Sequence, residues 1–216
     1  MNKPIYYKIA AHYEDCLAKF GITAKGMDWP NEDDLKKRFN VMLNVVRNKY
    51  KQSVSLLDIG CGVGFLLDYI NDKKLLDKYQ YKGIDISSKM IETAKLRYPD
   101  HDFEVRDILE NPLPSRSIDY VVMNGVLTEK VSLSYEQMKE YSCSIIKAAY
   151  DACIYGIAFN VMSSHVDWHR NDLFHWSLDS VVSFLVKGCS RNIVIRMDYG
   201  LYEFTVYVYR NSDDGT

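Results

Sequence analysis

The sequence has no C-x-x-C pair, no strong net charge and no apolar run approaching the ~18 residues of a membrane helix. Its five cysteines (Cys16, Cys61, Cys143, Cys153, Cys189) are odd in number, which argues against a disulfide framework and for a reduced, cytoplasmic setting. A net charge of −2 lacks the basic excess of a domain that works on naked nucleic acid. Met1-Asn2-Lys3-Pro4 lacks the basic-then-apolar pattern of a secretory leader. With 47% apolar and 26% charged residues the composition is that of a globular domain, which excludes disorder, collagen and coiled coil. The 216 residues fit one domain with small additions. What is plentiful is tyrosine, with 17 copies, suited to a cavity or interface with polar aromatic walls.

The first thirty residues are mixed. A helix then begins at Asn31, with Glu32, Asp33 and Asp34 in its first turn and Leu35, Phe39, Met42 and Val46 on one face. From residue 53 the periodicity changes. Strands are predicted at 54–59, 81–86, 103–105, 118–123 and 156–161, separated by helical stretches that include one opened by Ser87 and one by the Ser134–Gln137 capping box. That alternation predicts an α/β fold, Rossmann-like, with helices on both faces of a mostly parallel sheet. Two more strand-like segments, 192–197 and 202–209, are joined by too few residues for a parallel crossover, so they pair antiparallel. The expectation is seven strands with the last reversed. Residues 1–50 form an N-terminal helical cap of the same domain, and 51–216 its body.

Asp58-Ile59-Gly60-Cys61-Gly62-Val63-Gly64 joins a buried strand to a helix, and its glycines let the backbone approach a ligand closely. In a doubly wound sheet this loop faces the ligand crevice. Asp85 ends the next strand, where a carboxylate can take both ribose hydroxyls, and Asp107 ends the third, where it can receive an adenine amino group. Asp58 either shapes the loop by accepting its N–H groups or touches the ligand. Cys61 reads as a small filler in the loop. A dinucleotide fingerprint fails, because Leu67 stands where the third glycine belongs, and no G-x-x-x-x-G-K-[ST] occurs. Three acids without a neighbouring Lys or Arg suit a cationic, phosphate-free ligand.

These segments resemble class I S-adenosylmethionine-dependent methyltransferases. Residues 57–64 are similar to that superfamily's first motif, Gly83-Ile84-Asp85-Ile86-Ser87 to its second, Arg106-Asp107-Ile108 to its third, and 119–124 to its fourth-strand motif. The resemblance implies that Gly60, Gly62 and Gly64 border the amino-acid part of S-adenosylmethionine and that Asp85 holds its ribose. It implies further that Asp107 and Ile108 take the adenine, that Met90 or Ile86 packs on the ring, and that Asn124 lines the methyl-donor end. A narrower resemblance, carried by Trp29, Arg38-Phe39, Ala158-Phe159-Asn160 and residues 198–205, points to a bacterial subgroup associated with surface polysaccharides and modified sugars. It adds Trp29 and Arg38 to the cofactor contacts.

The segment 163–176 follows the fifth strand and holds three of the five histidines. It reads as an acceptor-binding lid, with one of His165, His169 or His175 as general base. Trp168, Arg170, Tyr13 and Tyr199 are candidate acceptor contacts. His12, Tyr6 and Tyr7 are candidates for closing the cofactor from the N-terminal side. No metal is expected, since His165-x3-His169 with Asp167 or Asp172 matches no known signature. Asn124-Gly125-Val126-Leu127 stands where base or glutamine N-methylation needs Asn-Pro-Pro-aromatic, and Glu129 lacks the second glutamate of arginine methylation. The expected acceptor is therefore a small molecule or sugar-linked precursor, methylated on oxygen, with no nucleic acid partner. The alternatives are an RNA or protein methyltransferase with a partner subunit, and a non-catalytic cofactor-binding module.

Overall fold

The computed structural model describes residues 3–47 and 51–210. The expected cap boundary at residue 50, and Met1 and Asn2 of the leader reading, lie outside the described residues. Two helices precede the sheet. Helix α1 (Tyr7–Phe20) fills the stretch that the sequence leaves mixed: its N-terminus has no capping side chain and no acid in the first turn, and Ile9 is its one buried residue. Helix α2 (Glu32–Leu43) starts at Asn31, whose side chain accepts the Asp34 N–H as expected.

Strands β1 (Val54–Ile59), β2 (Tyr79–Asp85), β3 (Asp102–Val105), β4 (Ile118–Leu127) and β5 (Cys153–Ser163) run parallel in the order β3-β2-β1-β4-β5. Helices α3 (Phe65–Asp72), α4 (Ser88–Arg97) and α5 (Tyr135–Ala152) lie between them in the chain. Ser87 caps α4 and the Ser134–Gln137 box caps α5. Near-continuous burial of β1 and β4 reflects coverage of both sheet faces. Strand β4 runs past its expected end at Met123 to Leu127, with a register shift against β5 between those two residues.

Beyond β5 the chain departs from the expected seven strands. A two-residue β6 (His175–Trp176) pairs with Met162 and Ser163 of β5, and α6 (Leu178–Gly188) follows, capped by Ser177. The hairpin of β7 (Ile193–Arg196) and β8 (Glu203–Tyr209) is antiparallel as expected, with β8 seated between β5 and β7.

All seven residues of β8 are buried, Glu203 among them. A carboxylate there needs a partner, and α2 supplies one. Arg38 Nε donates to Glu203 Oε1 and Oε2 at 3.0 and 2.9 Å, and its guanidinium stacks 4.3 Å from the Trp29 ring. Asn160 of β5 donates to Glu203 Oε1 at 3.1 Å while its own oxygen accepts the Gly125 N–H at 2.8 Å. Removing one member of a buried pair strands the other, at a typical cost of ~3–5 kcal/mol. Glu203→Ala is therefore expected to lower unfolding free energy by about that much in urea titration. The double change Arg38→Met with Glu203→Leu is expected to cost less than Glu203→Ala alone; a Glu203→Ala loss below ~1 kcal/mol would show the pair to behave like a surface one.

Candidate active site

The carboxyl ends of β1, β2 and β4 open into one cavity with about 1080 Å³ of empty space including its mouth, within reach of a nucleoside-sized ligand. Its floor is the loop after β1. Gly60 has φ +71°, and a Cβ there would sit 2.5 Å from Val126 Cγ2, so only glycine fits. The Gly60 and Cys61 N–H groups donate to the Ile84 carbonyl, which ties the loop to β2.

Asp85 holds that loop from the other side. Its carboxylate accepts the N–H groups of Gly62 at 3.0 Å and Ser87 at 2.9 Å. Burial pushes its carboxyl above the usual range, and those two N–H groups oppose the shift. Asp58, buried beneath the loop, accepts the Tyr81 hydroxyl at 2.9 Å, and burial raises it to about 7. Asp107 accepts the Leu109 N–H at 3.0 Å and the Tyr6 hydroxyl at 2.8 Å. Tyr6 in turn stacks 4.7 Å from Tyr141. Helix α1 thus reaches over the Asp107 end of the cavity, and Glu14 fastens it there through the Ser87 hydroxyl at 2.6 Å and Lys89 at 2.9 Å.

The opposite end is walled by Trp29, Tyr13 and the β4 extension. Gly125 has φ +82°, and a Cβ on it would lie 2.5 Å from the Trp29 ring. Asn124 lines the cavity, and its Oδ1 is buried without a hydrogen-bond partner. Such an orphaned acceptor is costly unless a ligand donor meets it. Among the described residues lining the cavity Arg106 is the cationic side chain, and it is committed to Glu104 at 2.8 Å and the Asn111 carbonyl at 2.9 Å. Among the described lining residues no basic side chain is therefore left free for a pyrophosphate.

Of the residues singled out in the sequence, Tyr13, Trp29, Asp58, Gly60, Cys61, Gly62, Asp85, Ile86, Met90, Asp107, Ile108 and Asn124 all line this cavity. Gly64, at φ +88°, forms the N-cap of α3 and is not in the lining. Arg38 lies behind Trp29, paired with Glu203, and Tyr199 donates toward the same carboxylate from 3.4 Å. Neither is in the lining.

The histidine-rich segment divides into a buried part and an exposed part. Leu173, Phe174 and Trp176 are buried, and Phe174 N–H donates to the Thr128 carbonyl at 2.8 Å. Apolar burial and strand pairing therefore draw 173–176 into the sheet. His165, Trp168, His169 and Arg170 are exposed. Arg170 spends its guanidinium on Asp172, with Nε at 3.0 Å, instead of standing free for an anion. His175 Nδ1 donates to the Ser163 carbonyl at 2.7 Å, and its ring lies 4.7 Å from that of His169. None of the three histidines is in the cavity lining.

Glu129, which the sequence leaves standing alone, proves to be 7% exposed just beyond the β4 extension, with Arg170 at 4.0 Å. Burial, and then the charge of Asp28, push it up to about 7. The signal available in sequence was its place two residues after an apolar strand. Asp58 and Glu129 thus keep their protons to about pH 7 when folded and lose them near pH 4 when unfolded. Between those values the native state binds more protons, so these groups make stability fall as pH rises from about 4 to 7. Urea unfolding across that range is expected to show the fall, and Asp58→Asn or Glu129→Gln to flatten it.

A methyltransferase-domain family matches residues 56–148. A Mycobacterium tuberculosis protein provisionally named a methyltransferase, with no acceptor stated, is 33% identical over 73% of this chain and 94% of its own length. Among solved structures, magnesium protoporphyrin IX methyltransferase from Synechocystis PCC 6803 with bound S-adenosylhomocysteine superposes with TM-score 0.63 at 13% identity, covering 94% of each chain. A methyltransferase from Leishmania major gives TM-score 0.64 at 15% identity, over 95% of this chain and 82% of that one. The glycine loop, the acids at the ends of β2 and β3 and the orphaned Asn124 oxygen fit the same cofactor. The chain belongs to the class I S-adenosylmethionine-dependent methyltransferases.

Proposed function

We propose that this methyltransferase acts on a hydroxyl of a small, sugar-type or glycan-precursor acceptor. The observation that carries the reading is the β4 edge: Asn124 is followed by Gly125-Val126-Leu127, packed against Trp29, and so lacks the proline-framed slot that a flat base or a glutamine amide needs. The near-neutral charge supports a small acceptor over a nucleic acid.

S-adenosylmethionine supplies a methyl already activated on sulfonium, so this chain's residues mainly hold, align and keep water out. In this reading Asp85 receives the ribose hydroxyls and Gly60 and Gly62 let the amino-acid part lie against the backbone. Asp107, with lone pairs to spare beyond Tyr6 and Leu109, takes the adenine amino group beside Ile108. Met90 and Ile86 pack on the ring, and the Asn124 oxygen meets a donor at the methyl end. Arg38 acts by holding Trp29 in place. Alignment of this kind can supply ~7–11 kcal/mol of the barrier. Tyr13 at the cavity wall and Trp168 in the exposed segment are the proposed acceptor side, with His165, His169 or His175 as base if the hydroxyl must lose its proton. The N-terminal cap closes the cofactor in.

The test is methyl transfer to a panel of sugar nucleotides and simple glycosides against matched amines, read as S-adenosylhomocysteine release. Transfer to hydroxyl acceptors supports the reading; transfer confined to amines overturns it. S-adenosylhomocysteine at ~100 times its Kd is expected to stabilise the protein by ~2.7 kcal/mol, NAD not at all, and Asp85→Ala to remove the effect. A His→Ala variant that loses turnover with unchanged S-adenosylhomocysteine affinity identifies the base, and near-full turnover in all three leaves alignment alone.

A further inference from the structure

Outside the cavity lining, three unlike ligand atoms converge where α1 meets the turn before α2. His12 and Cys16 stand one helical turn apart on α1 and share a face. Asp28 closes the Lys25–Met27 turn in a left-handed conformation, φ 55°, which sets its side chain against that face. His12 Nε2 lies 2.8 Å from Asp28 Oδ2 and 3.7 Å from Cys16 Sγ, and all three atoms fall within 4.8 Å of one another.

Each distance is within hydrogen-bond range, the Cys16 contact being the weaker. Both Asp28 and Cys16 point at the same nitrogen, and one nitrogen serves only one of them well, whereas one ion can be shared by all three. Tetrahedral bonds of ~2.0–2.3 Å place ligand atoms about 3.3–3.8 Å apart. The nitrogen–sulfur separation already meets that value, and the nitrogen–oxygen pair has to open by ~0.5 Å. Mixed nitrogen, sulfur and oxygen donors suit zinc and neighbouring first-row divalent ions rather than magnesium or calcium. Each of the three residues is partly exposed, so an ion can enter from solvent.

We propose that His12, Cys16 and Asp28 form a three-ligand site for a zinc-class divalent cation that cross-links α1 to the turn before α2. Tyr13 and Trp29, the chain neighbours of two of these ligands, both line the cavity. A bound ion therefore holds the N-terminal cap closed at the methyl-donor end. The site stands independently of which acceptor the enzyme uses. It escapes a sequence search because a single His-x3-Cys pair is completed by an acid twelve residues beyond Cys16.

The test adds cobalt(II) to the reduced full-length protein and follows thiolate-to-cobalt charge-transfer absorption. A band is expected in the wild type and in Cys143→Ser, and none in Cys16→Ser. Zinc affinity, measured by competition with a chromophoric chelator, is expected to fall about tenfold or more in His12→Ala and in Asp28→Asn. No band in the wild type, or a band that survives Cys16→Ser, overturns the site. Zinc is also expected to raise the wild-type Tm and to leave that of His12→Ala unchanged; equal shifts in both would contradict the assignment.

Discussion

The buried ion pair between Arg38 and Glu203 is the constraint around which the site is arranged. Its partners come from α2 and β8, 165 positions apart in the chain. Through Asn160 the pair reaches the Gly125 N–H, and through cation–π stacking it reaches Trp29. Trp29 and Gly125 then touch so closely that no side chain fits between them. A buried charge is expensive to desolvate, and displacing its partner leaves that cost uncompensated. One interaction therefore ties the N-terminal cap, the β4 extension and the last hairpin to one another, and with them the end of the cavity that holds the unpartnered Asn124 oxygen.

The opposite end is built with weaker bonds. Tyr6 to Asp107 and Glu14 to Ser87 and Lys89 are side-chain contacts at a partly exposed surface. Such contacts open more readily than a core, which suits an entrance for the cofactor. Between the two ends, Asp85 accepts two backbone N–H groups and keeps the glycine loop curved around the cavity.

Much of this was legible in the sequence because it is local. Caps at Asn31, Ser87 and Ser134, the glycine loop, and acids ending β2 and β3 each express themselves within a few residues. Helix α1 was legible only as part of a helical N-terminal cap and not by its bounds, since no side chain caps its start and it buries little. The segment 173–176 was misleading: its polar neighbours gave it the look of a loop, while Phe174 and Trp176 are completely buried. Arg38 reads in the sequence as a ligand contact, yet what holds it is Glu203, a charge within an apolar strand whose partner no local pattern reveals. Glu129 escaped for a related reason, its burial being set by segments distant in the chain.

Arg38, Asn160 and Glu203, none of which lines the cavity, thus set the shape of its Asn124 end through Trp29 and Gly125. Calorimetric titration with S-adenosylhomocysteine of the wild type and of the folded Arg38→Met, Glu203→Leu double variant tests it most directly. Wild-type binding is expected, with an affinity about tenfold or more weaker in the double variant, a change of ~1.4 kcal/mol or more. Equal affinities in the two proteins would contradict it.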